Sequence, residues 1–264
     1  MTETFSLSSY RPWLYFGLTF LWSWACLLPP VFLGLTADDF PVAILRGLAG
    51  AGPMLVTLFL LFSQHQPDGR SEYWGRLFNV ANIDLVSWLV ILFSTAAIVG
   101  LSGLFDELLG GEGLMLEAAA EYLEKPLQMI PFALFILAFG PIPEEMGWRG
   151  YALPGLQAGW SALQASLVLA VIWALWHLPL FFIPGTYQAD LGVLTPGFWW
   201  FMLGIIPETI LITWVFNRCE GSTLAAVIYH FGINFTGEMF MLTPRGDVFS
   251  LVLWSAGALF VIFF

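Results

Sequence analysis

Long apolar runs separated by short polar segments dominate the pattern along the chain. Crossing the hydrocarbon core of a bilayer takes about 20 apolar residues in helical form, and eight runs come close to or exceed that length. They lie near 12 to 34, 43 to 63, 85 to 105, 127 to 150, 160 to 183, 197 to 217, 222 to 243 and 248 to 264. The period-2 alternation of a membrane β-barrel is absent from them. The pattern predicts an all-α, polytopic transmembrane helical bundle of about eight helices, with residues 1–264 as a single transmembrane domain.

Composition agrees with lipid as the main solvent of the chain. Hydrophobic residues make up 59% of the sequence and charged residues 10%, whereas soluble domains have about 45–50% and about 25%. Many of the 13 Trp residues lie near the ends of apolar runs, as in the aromatic belts of membrane proteins. The formal net charge is −11, so the basic footprint of a nucleic-acid-binding protein is missing. We therefore expect the lipid bilayer, and not nucleic acid, as a partner.

The basic residues indicate an orientation, because cytoplasmic loops are enriched in Lys and Arg. With the N-terminus inside, the cytoplasmic side receives Arg11, Arg70, Arg76, Arg149 and Arg218, and the outer side receives Lys125 and Arg245. The predicted outer segment 106 to 126 is acidic, and the spacing of Glu117, Glu121 and Glu124 predicts a short surface helix there. We therefore predict a multi-pass protein of the cell membrane whose N-terminus faces the cytosol.

Ionisable and strongly polar side chains inside the apolar runs are the first candidates for function, since a charged group costs about 2.5–3.5 kcal/mol to insert. They are Glu144, Glu145 and Arg149 in the fourth run, His177 in the fifth, Glu208 in the sixth, and His230, Asn234 and Glu238 in the seventh. Glu208 and Glu238 have two open interpretations: they line a substrate cavity, or they hydrogen-bond across helices.

The segment 140–150 predicts a helix that restarts at two prolines. The prolines remove backbone donors, which places Glu144 and Glu145 in a first turn, where the helix dipole favours carboxylates. At about 3.6 residues per turn, Glu145 and Arg149 share a face and can pair. Glu144 points elsewhere and has no partner of this kind. It is therefore the better candidate for a general base.

Two imidazoles and an amide complete a set of groups with related chemistry. His177 lies in an apolar stretch one turn after Trp173, and His230 lies one turn before Asn234. Side chains one turn apart point the same way, so His230 and Asn234 can donate hydrogen bonds to one developing oxyanion. A base, imidazoles and an amide donor are the parts of a site that hydrolyses an amide with activated water. The sequence has neither a Ser or Cys next to His in a triad-like pattern nor the HExxH motif of soluble zinc proteases.

The order Glu144-Glu145-x-x-x-Arg149, then His177, then His230-x-x-x-Asn234 resembles the motifs of the CPBP family. That family comprises CAAX prenyl protease type 2 enzymes and bacterial Abi proteins. The resemblance covers roughly residues 127–240, which would form an Abi/CAAX-protease-like catalytic core. It implies a helical bundle whose active site opens toward the cytosol.

The resemblance also implies roles for these residues. Glu144 would activate water with help from His177, His230 and Asn234 would stabilise the oxyanion, and Glu145 and Arg149 would hold the motif helix.

One position departs from the family pattern, and one cofactor question stays open. The family's second motif usually reads FxxxH, whereas Trp173 occupies the Phe position here, so Trp173 is a candidate for the wall of the cavity. Glu144, His177 and His230 are candidate ligands of a catalytic zinc ion. A metal-free glutamate mechanism uses the same residues. The expected cofactor is therefore Zn²⁺ or none.

These observations favour an intramembrane endopeptidase that hydrolyses a peptide bond of a membrane-associated peptide or a lipid-linked protein, including one of the prenylated CAAX type. Two other functions stay open. One is a proton-coupled or small-molecule transporter, for which intramembrane Glu and His residues and broken helices are equally natural. The other is a non-catalytic membrane immunity or scaffold protein.

Overall fold

The structure is a computed structural model that describes residues 10–64 and 67–263. Its α-helices are α1 (Pro12–Leu33), α2 (Phe40–Gly50), α3 (Gly52–Gln64), α4 (Pro67–Leu77), α5 (Leu85–Leu108), α6 (Glu117–Glu124), α7 (Pro126–Phe139), α8 (Pro141–Gly147), α9 (Leu153–Gln157), α10 (Ala162–Trp176), α11 (Tyr187–Leu191), α12 (Pro196–Arg218), α13 (Thr223–Met239) and α14 (Pro244–Phe263). A π-helical turn, Trp148–Ala152, follows α8, and a 3₁₀ turn, Leu178–Phe182, follows α10. Two short strands, β1 (Leu114–Met115) and β2 (Met241–Leu242), pair antiparallel. Phe264, at the end of the last predicted span, lies outside the described residues.

Six helical stretches among these residues are long and apolar enough to cross a membrane. They are Pro12–Leu33, Leu85–Leu108, Pro126–Gln157, Ala162–Phe182, Pro196–Arg218 and Pro244–Phe263. Helices α2 and α3, bent by 46° at their junction, add a seventh if they form one broken span. Large apolar side chains such as Leu21, Phe93 and Leu127 are exposed on these helices, as lipid-facing positions require. The predicted class, an all-α polytopic membrane protein, is confirmed.

The predicted number of spans exceeds the six to seven observed, and α13 explains the difference. The run near 222 to 243 forms this helix of 17 residues, which is about 26 Å long, less than the hydrocarbon thickness of about 30 Å. Helix α13 packs against α5, α8 and α12. Much of it therefore contacts protein rather than lipid, which lets it carry polar side chains.

The junction of α2 and α3 replaces the straight span predicted near 43 to 63. Two side chains of α1 bind backbone carbonyls beside the bend: Trp22 Nε1 donates to the Leu48 oxygen at 2.8 Å, and Ser23 Oγ donates to the Ala49 oxygen at 2.8 Å. A Cβ at Gly52 would collide with the Ser23 hydroxyl. Such capture of carbonyls by a neighbouring helix is how a break in a membrane span is tolerated.

Helices α7 and α8 form one broken stretch with two different environments. Helix α7 has no fully buried residue. In α8 every residue except the partly buried Ile142 is buried, and the π-helical turn after it is buried throughout. Helix α8 packs against α3 and α13. The polar motif of segment 140–150 thus lies inside the bundle.

The segment predicted as an acidic outer loop contains one buried acid. Asp106 lies in the last turn of α5 and is 1% exposed. Its carboxylate accepts hydrogen bonds from Arg245 Nε, from Thr243 Oγ1 at 3.0 Å and from the Gly113 backbone N–H at 3.1 Å. We call this arrangement the Asp106 clamp, and it ties the end of α5 to the start of α14. The predicted surface helix of the same segment is α6, whose Glu121 pairs with Lys125 at 3.3 Å.

Candidate active site

The predicted helix restart is present, and Gly140 marks it. Gly140 ends α7 and occupies the N-cap position of α8. Pro141 is the first residue of the new helix, where a missing N–H costs nothing. Glu144 lies in the first turn of α8, and a π-helical turn begins at Trp148. Single π turns inside helices frequently occur at functional sites because they re-aim side chains.

Gly147 allows α8 to approach its neighbours closely. A Cβ built on Gly147 would collide with the Tyr15 hydroxyl and with the backbone and side chain of Pro53. Tyr15 belongs to α1 and Pro53 to α3. The two acidic residues therefore lie on a helix that is fixed on two sides by direct contact.

Glu145, Arg149 and His230 form a buried group that meets at one carboxylate oxygen, while Glu145 Oε2 and Arg149 Nε and Nη2 have no hydrogen-bond partner in the described part of the chain. Arg149 Nη1 donates to Glu145 Oε1 at 2.7 Å, as the one-turn spacing predicts. His230 Nδ1 lies 2.9 Å from the same oxygen. Because a carboxylate only accepts, Nδ1 of His230 carries a proton and Nε2 is left for another partner. The pair Glu145 and Arg149 is 0% exposed, so both charges lie inside the protein.

Glu144 has a different partner from Glu145, although the two are adjacent. Its Oε2 accepts a hydrogen bond of 2.7 Å from Trp173 Nε1, an indole N–H on α10. Glu144 is 7% exposed. Among the described residues it takes part in no ion pair within 4 Å. A nearly buried carboxylate that accepts from a neutral indole and takes part in no ion pair has the properties of a general base.

His177 lies at the C-terminal end of α10, with its ring oriented by the preceding turn. Its Nδ1 is 2.9 Å from the Trp173 carbonyl oxygen. A carbonyl only accepts, so Nδ1 is protonated and Nε2 is free to bind a water molecule. The ring also contacts Trp176 and Phe201, with centroids 4.8 Å and 5.3 Å away. His177 is half-buried and thus more accessible than His230.

Asn234 follows His230 by one turn on α13 and reaches the start of α8. A Cβ built on Gly140 would lie 3.2 Å from Asn234 Nδ2. Asn234 is half-buried. Its amide therefore lies beside the break between α7 and α8, one helical turn from Glu144.

Trp173 lies between the charged groups. Its ring is 5.2 Å from the His230 ring in an edge-to-face arrangement, and the Arg149 guanidinium lies 4.9 Å from its centroid. It is 3% exposed. The sequence predicted Trp173 as part of a cavity wall, but it did not predict the hydrogen bond from Trp173 to Glu144.

Glu208 and Glu238 have different positions relative to this cluster. Glu208 lies on α12 after Pro207 and is close enough to interact electrostatically with His230 and Arg149. Glu238 is exposed near the end of α13. The extra turn beyond Asn234 takes Glu238 away from the buried group.

Two contacts from α4 support the motif helix, and the sequence did not predict them. Tyr73 Oη donates to the Met146 carbonyl oxygen at 2.9 Å, and Arg76 Nη2 donates to the Gly150 carbonyl oxygen at 3.1 Å. Burial raises the pKa of the Tyr73 hydroxyl above its usual value, so the group stays a neutral donor. The amphipathic segment Pro67–Leu77 has no long apolar run, and its position against α8 was therefore not apparent.

The three candidate metal ligands do not form a metal site in this arrangement. A catalytic zinc ion needs three ligand atoms that converge at about 2.0–2.2 Å from one point. In the part of the chain that the structure describes, no group of three His, Cys, Asp or Glu side chains is placed to hold a metal ion. Glu144, His177 and His230 as arranged here do not fit that requirement.

Fold and site together define a polytopic membrane protein with a buried cluster of carboxylates, imidazoles and an amide, of the kind used for hydrolysis. Residues 126–236 match the family model described as type II CAAX prenyl endopeptidase Rce1-like. The chain is also similar to the CAAX prenyl protease 2 of Methanococcus maripaludis, with 29% identity over 238 residues, which cover 89% of this chain and 86% of that protein. The resemblance to CAAX proteases is thus confirmed: residues 126–236 match the model of that family, and most of the chain is similar to one such protease.

Proposed function

We propose that the protein is an intramembrane endopeptidase that cleaves a membrane-associated, prenylated CAAX-type polypeptide with a water molecule activated by Glu144. The main support is the difference between two adjacent carboxylates. Glu145 is ion-paired with Arg149 and accepts from His230, both at Oε1, so its charge is compensated within the protein. Glu144 accepts from one indole and keeps Oε1 for a water molecule.

The chemistry follows from the free atoms of the site. Glu144 Oε1 takes a proton from water while the hydroxide oxygen attacks the carbonyl carbon of the scissile bond. The resulting tetrahedral intermediate collapses when Glu144 returns the proton to the leaving nitrogen. The products are a carboxylic acid and an amine, and Glu144 ends as a carboxylate. General acid–base catalysis of this kind contributes about 10²–10⁴-fold.

The two histidines then have different tasks. His177 presents an unprotonated Nε2, which orients the attacking water as a hydrogen-bond acceptor. His230 donates a hydrogen bond from Nδ1–H to Glu145. The negative charge of Glu145 favours the imidazolium form of His230, in which Nε2 also carries a proton. In that form Nε2–H donates to the oxyanion together with Asn234 Nδ2. Each such donor contributes about 10²–10³-fold in other hydrolases.

The substrate class is taken from the relatives. The matched family is described as CAAX prenyl endopeptidases, and the relative from Methanococcus maripaludis is called a CAAX prenyl protease. A site inside a helical bundle suits a polypeptide that a lipid group holds at the membrane. We place the catalytic core at residues 127–240 in the cell membrane, with the site open to the cytosol.

The test is cleavage of a farnesylated CAAX peptide by the full chain in detergent, followed by mass spectrometry. We expect Glu144→Gln to lower kcat by at least about 100-fold without loss of the folded state. Glu124→Gln is the matched control, since Glu124 is an exposed acid on the surface helix α6, and it should retain wild-type kcat. An unprenylated peptide of the same sequence should be cleaved less efficiently. Wild-type kcat in folded Glu144→Gln would refute the proposal.

A further inference from the structure

Trp173 supplies an interaction that the usual residue of the family pattern cannot make. The FxxxH pattern has Phe at this position, which has no hydrogen-bond donor. Here the indole Nε1–H donates to Glu144 Oε2 at 2.7 Å. A hydrogen bond to an ionised carboxylate is stronger than one between neutral groups. Trp173 therefore gives the proposed base a hydrogen bond that a Phe at this position could not supply.

The direction of this N–H is fixed by its neighbours. The indole ring lies edge-to-face with His230 and under the Arg149 guanidinium. Both contacts restrict rotation of a side chain that is 3% exposed. The backbone carbonyl oxygen of Trp173 accepts a hydrogen bond from His177 Nδ1–H. One residue thus touches Glu144 through its side chain and His177 through its carbonyl.

We propose that Trp173 is a positioning residue that holds Oε2 of the Glu144 carboxylate through its indole N–H, so that Oε1 faces the attacking water. This inference rests on the proposed function of Glu144. The hydrogen bond fixes the rotation of the carboxylate about its last torsion, which is otherwise broad. Misplaced reactive groups lose rate rather than substrate affinity, so the loss should appear in kcat.

Trp176 provides a matched control on the same helix. It is 5% exposed, and its ring also contacts His177, as the Trp173 ring does. Its Nε1 has no hydrogen-bond partner in the described part of the chain. Trp173→Phe and Trp176→Phe therefore remove the same atoms from similar surroundings, but only the first removes a hydrogen bond.

The kinetic experiment uses the full chain and a farnesylated CAAX peptide. A hydrogen bond to a charged group corresponds to a change of about 10–100-fold. We expect Trp173→Phe to lower kcat by that factor with KM within about twofold of wild type. Trp176→Phe should stay within about threefold in kcat. Equal kcat for Trp173→Phe and wild type would overturn the proposal, as would an equal loss in both variants.

A spectroscopic experiment tests the hydrogen bond without using activity. The full chain is labelled with ¹⁵N-indole tryptophan. The Trp176 signal is assigned by its absence in Trp176→Phe, and the Trp173 signal by its nuclear Overhauser contact with the His230 ring, whose centroid is 5.2 Å away. In Glu144→Gln the Trp173 N–H signal should move, because its acceptor has lost its charge, and the Trp176 signal should move far less. An unmoved Trp173 signal overturns the proposal even if Trp173→Phe fails to fold. Full activity of Glu144→Gln together with a moved Trp173 signal refutes the proposed function instead. In that case the hydrogen bond between Trp173 and Glu144 exists, but Glu144 is not the catalytic base.

Discussion

Replacing Arg149 with methionine should destabilise the fold strongly, because it leaves a buried carboxylate with too few partners. Glu145 and Arg149 are 0% exposed and joined at 2.7 Å. In Arg149→Met, Glu145 keeps the His230 hydrogen bond but loses its counter-charge. Breaking one side of a buried pair costs about 3–5 kcal/mol. Since one donor remains, we expect a loss of about 3 kcal/mol in the free energy of unfolding.

The measurement is a comparison of the single variants Arg149→Met and Glu145→Gln with the double variant. Unfolding is followed by tryptophan fluorescence during titration of mixed micelles with a denaturing detergent. The double variant contains neither charge, so it should be less destabilised than Arg149→Met by at least about 1 kcal/mol. The two positions are in contact, and strong non-additivity is expected between them.

The reasoning would be refuted by either of two results. One is a loss below about 1 kcal/mol in Arg149→Met, which would mean that water or another group compensates Glu145. The other is a double variant whose loss equals the sum of the single losses, since independent sites add in this way.

Three further outcomes are expected. Gly147→Ala should lower both stability and activity, because the new methyl group collides with Tyr15 and Pro53 and overpacking costs about 1–3 kcal/mol. Thermal unfolding and the peptide assay measure the two effects, and a wild-type Tm would contradict the prediction. Asp106→Asn should lower Tm but leave kcat unchanged, because the carboxylate binds Thr243 and Arg245 and none of the candidate catalytic residues. A selective loss of kcat would contradict this. A chelator should leave peptide cleavage unchanged, because the three candidate ligands do not converge, and inactivation reversed by added Zn²⁺ would contradict this.

The sequence predicts those features of the site that depend on spacing within one helix. The pairing of Glu145 with Arg149 follows from their one-turn separation, and it is present at 2.7 Å. The restart of the helix follows from the prolines, and α8 begins at Pro141. The relation between His230 and Asn234 is also local to α13. In each case a single helical period determines the geometry.

Contacts between distant segments were beyond such reasoning. The partner of Glu144 is 29 residues away and the partner of Glu145 on α13 is 85 residues away, so neither follows from a helical period. The tautomers of His177 and His230 depend on these contacts and were unpredictable for the same reason. Helix α4 was missed because an amphipathic segment of 11 residues does not resemble a span. The bend between α2 and α3 depends on donors from α1.

The broken stretch formed by α7 and α8 divides one span into parts that should tolerate mutation very differently. Side chains before Gly140 meet lipid, for which most apolar residues are equivalent, so exchanges among Leu, Ile, Phe and Val there should have little effect. From residue 141 to 152 nearly every side chain is buried, and changes of a single methylene are felt in a packed interior. A deep mutational scan should therefore show an abrupt fall in accepted substitutions at Gly140, midway through one candidate membrane span. Homologues would then diverge freely on one side of this glycine and very little on the other.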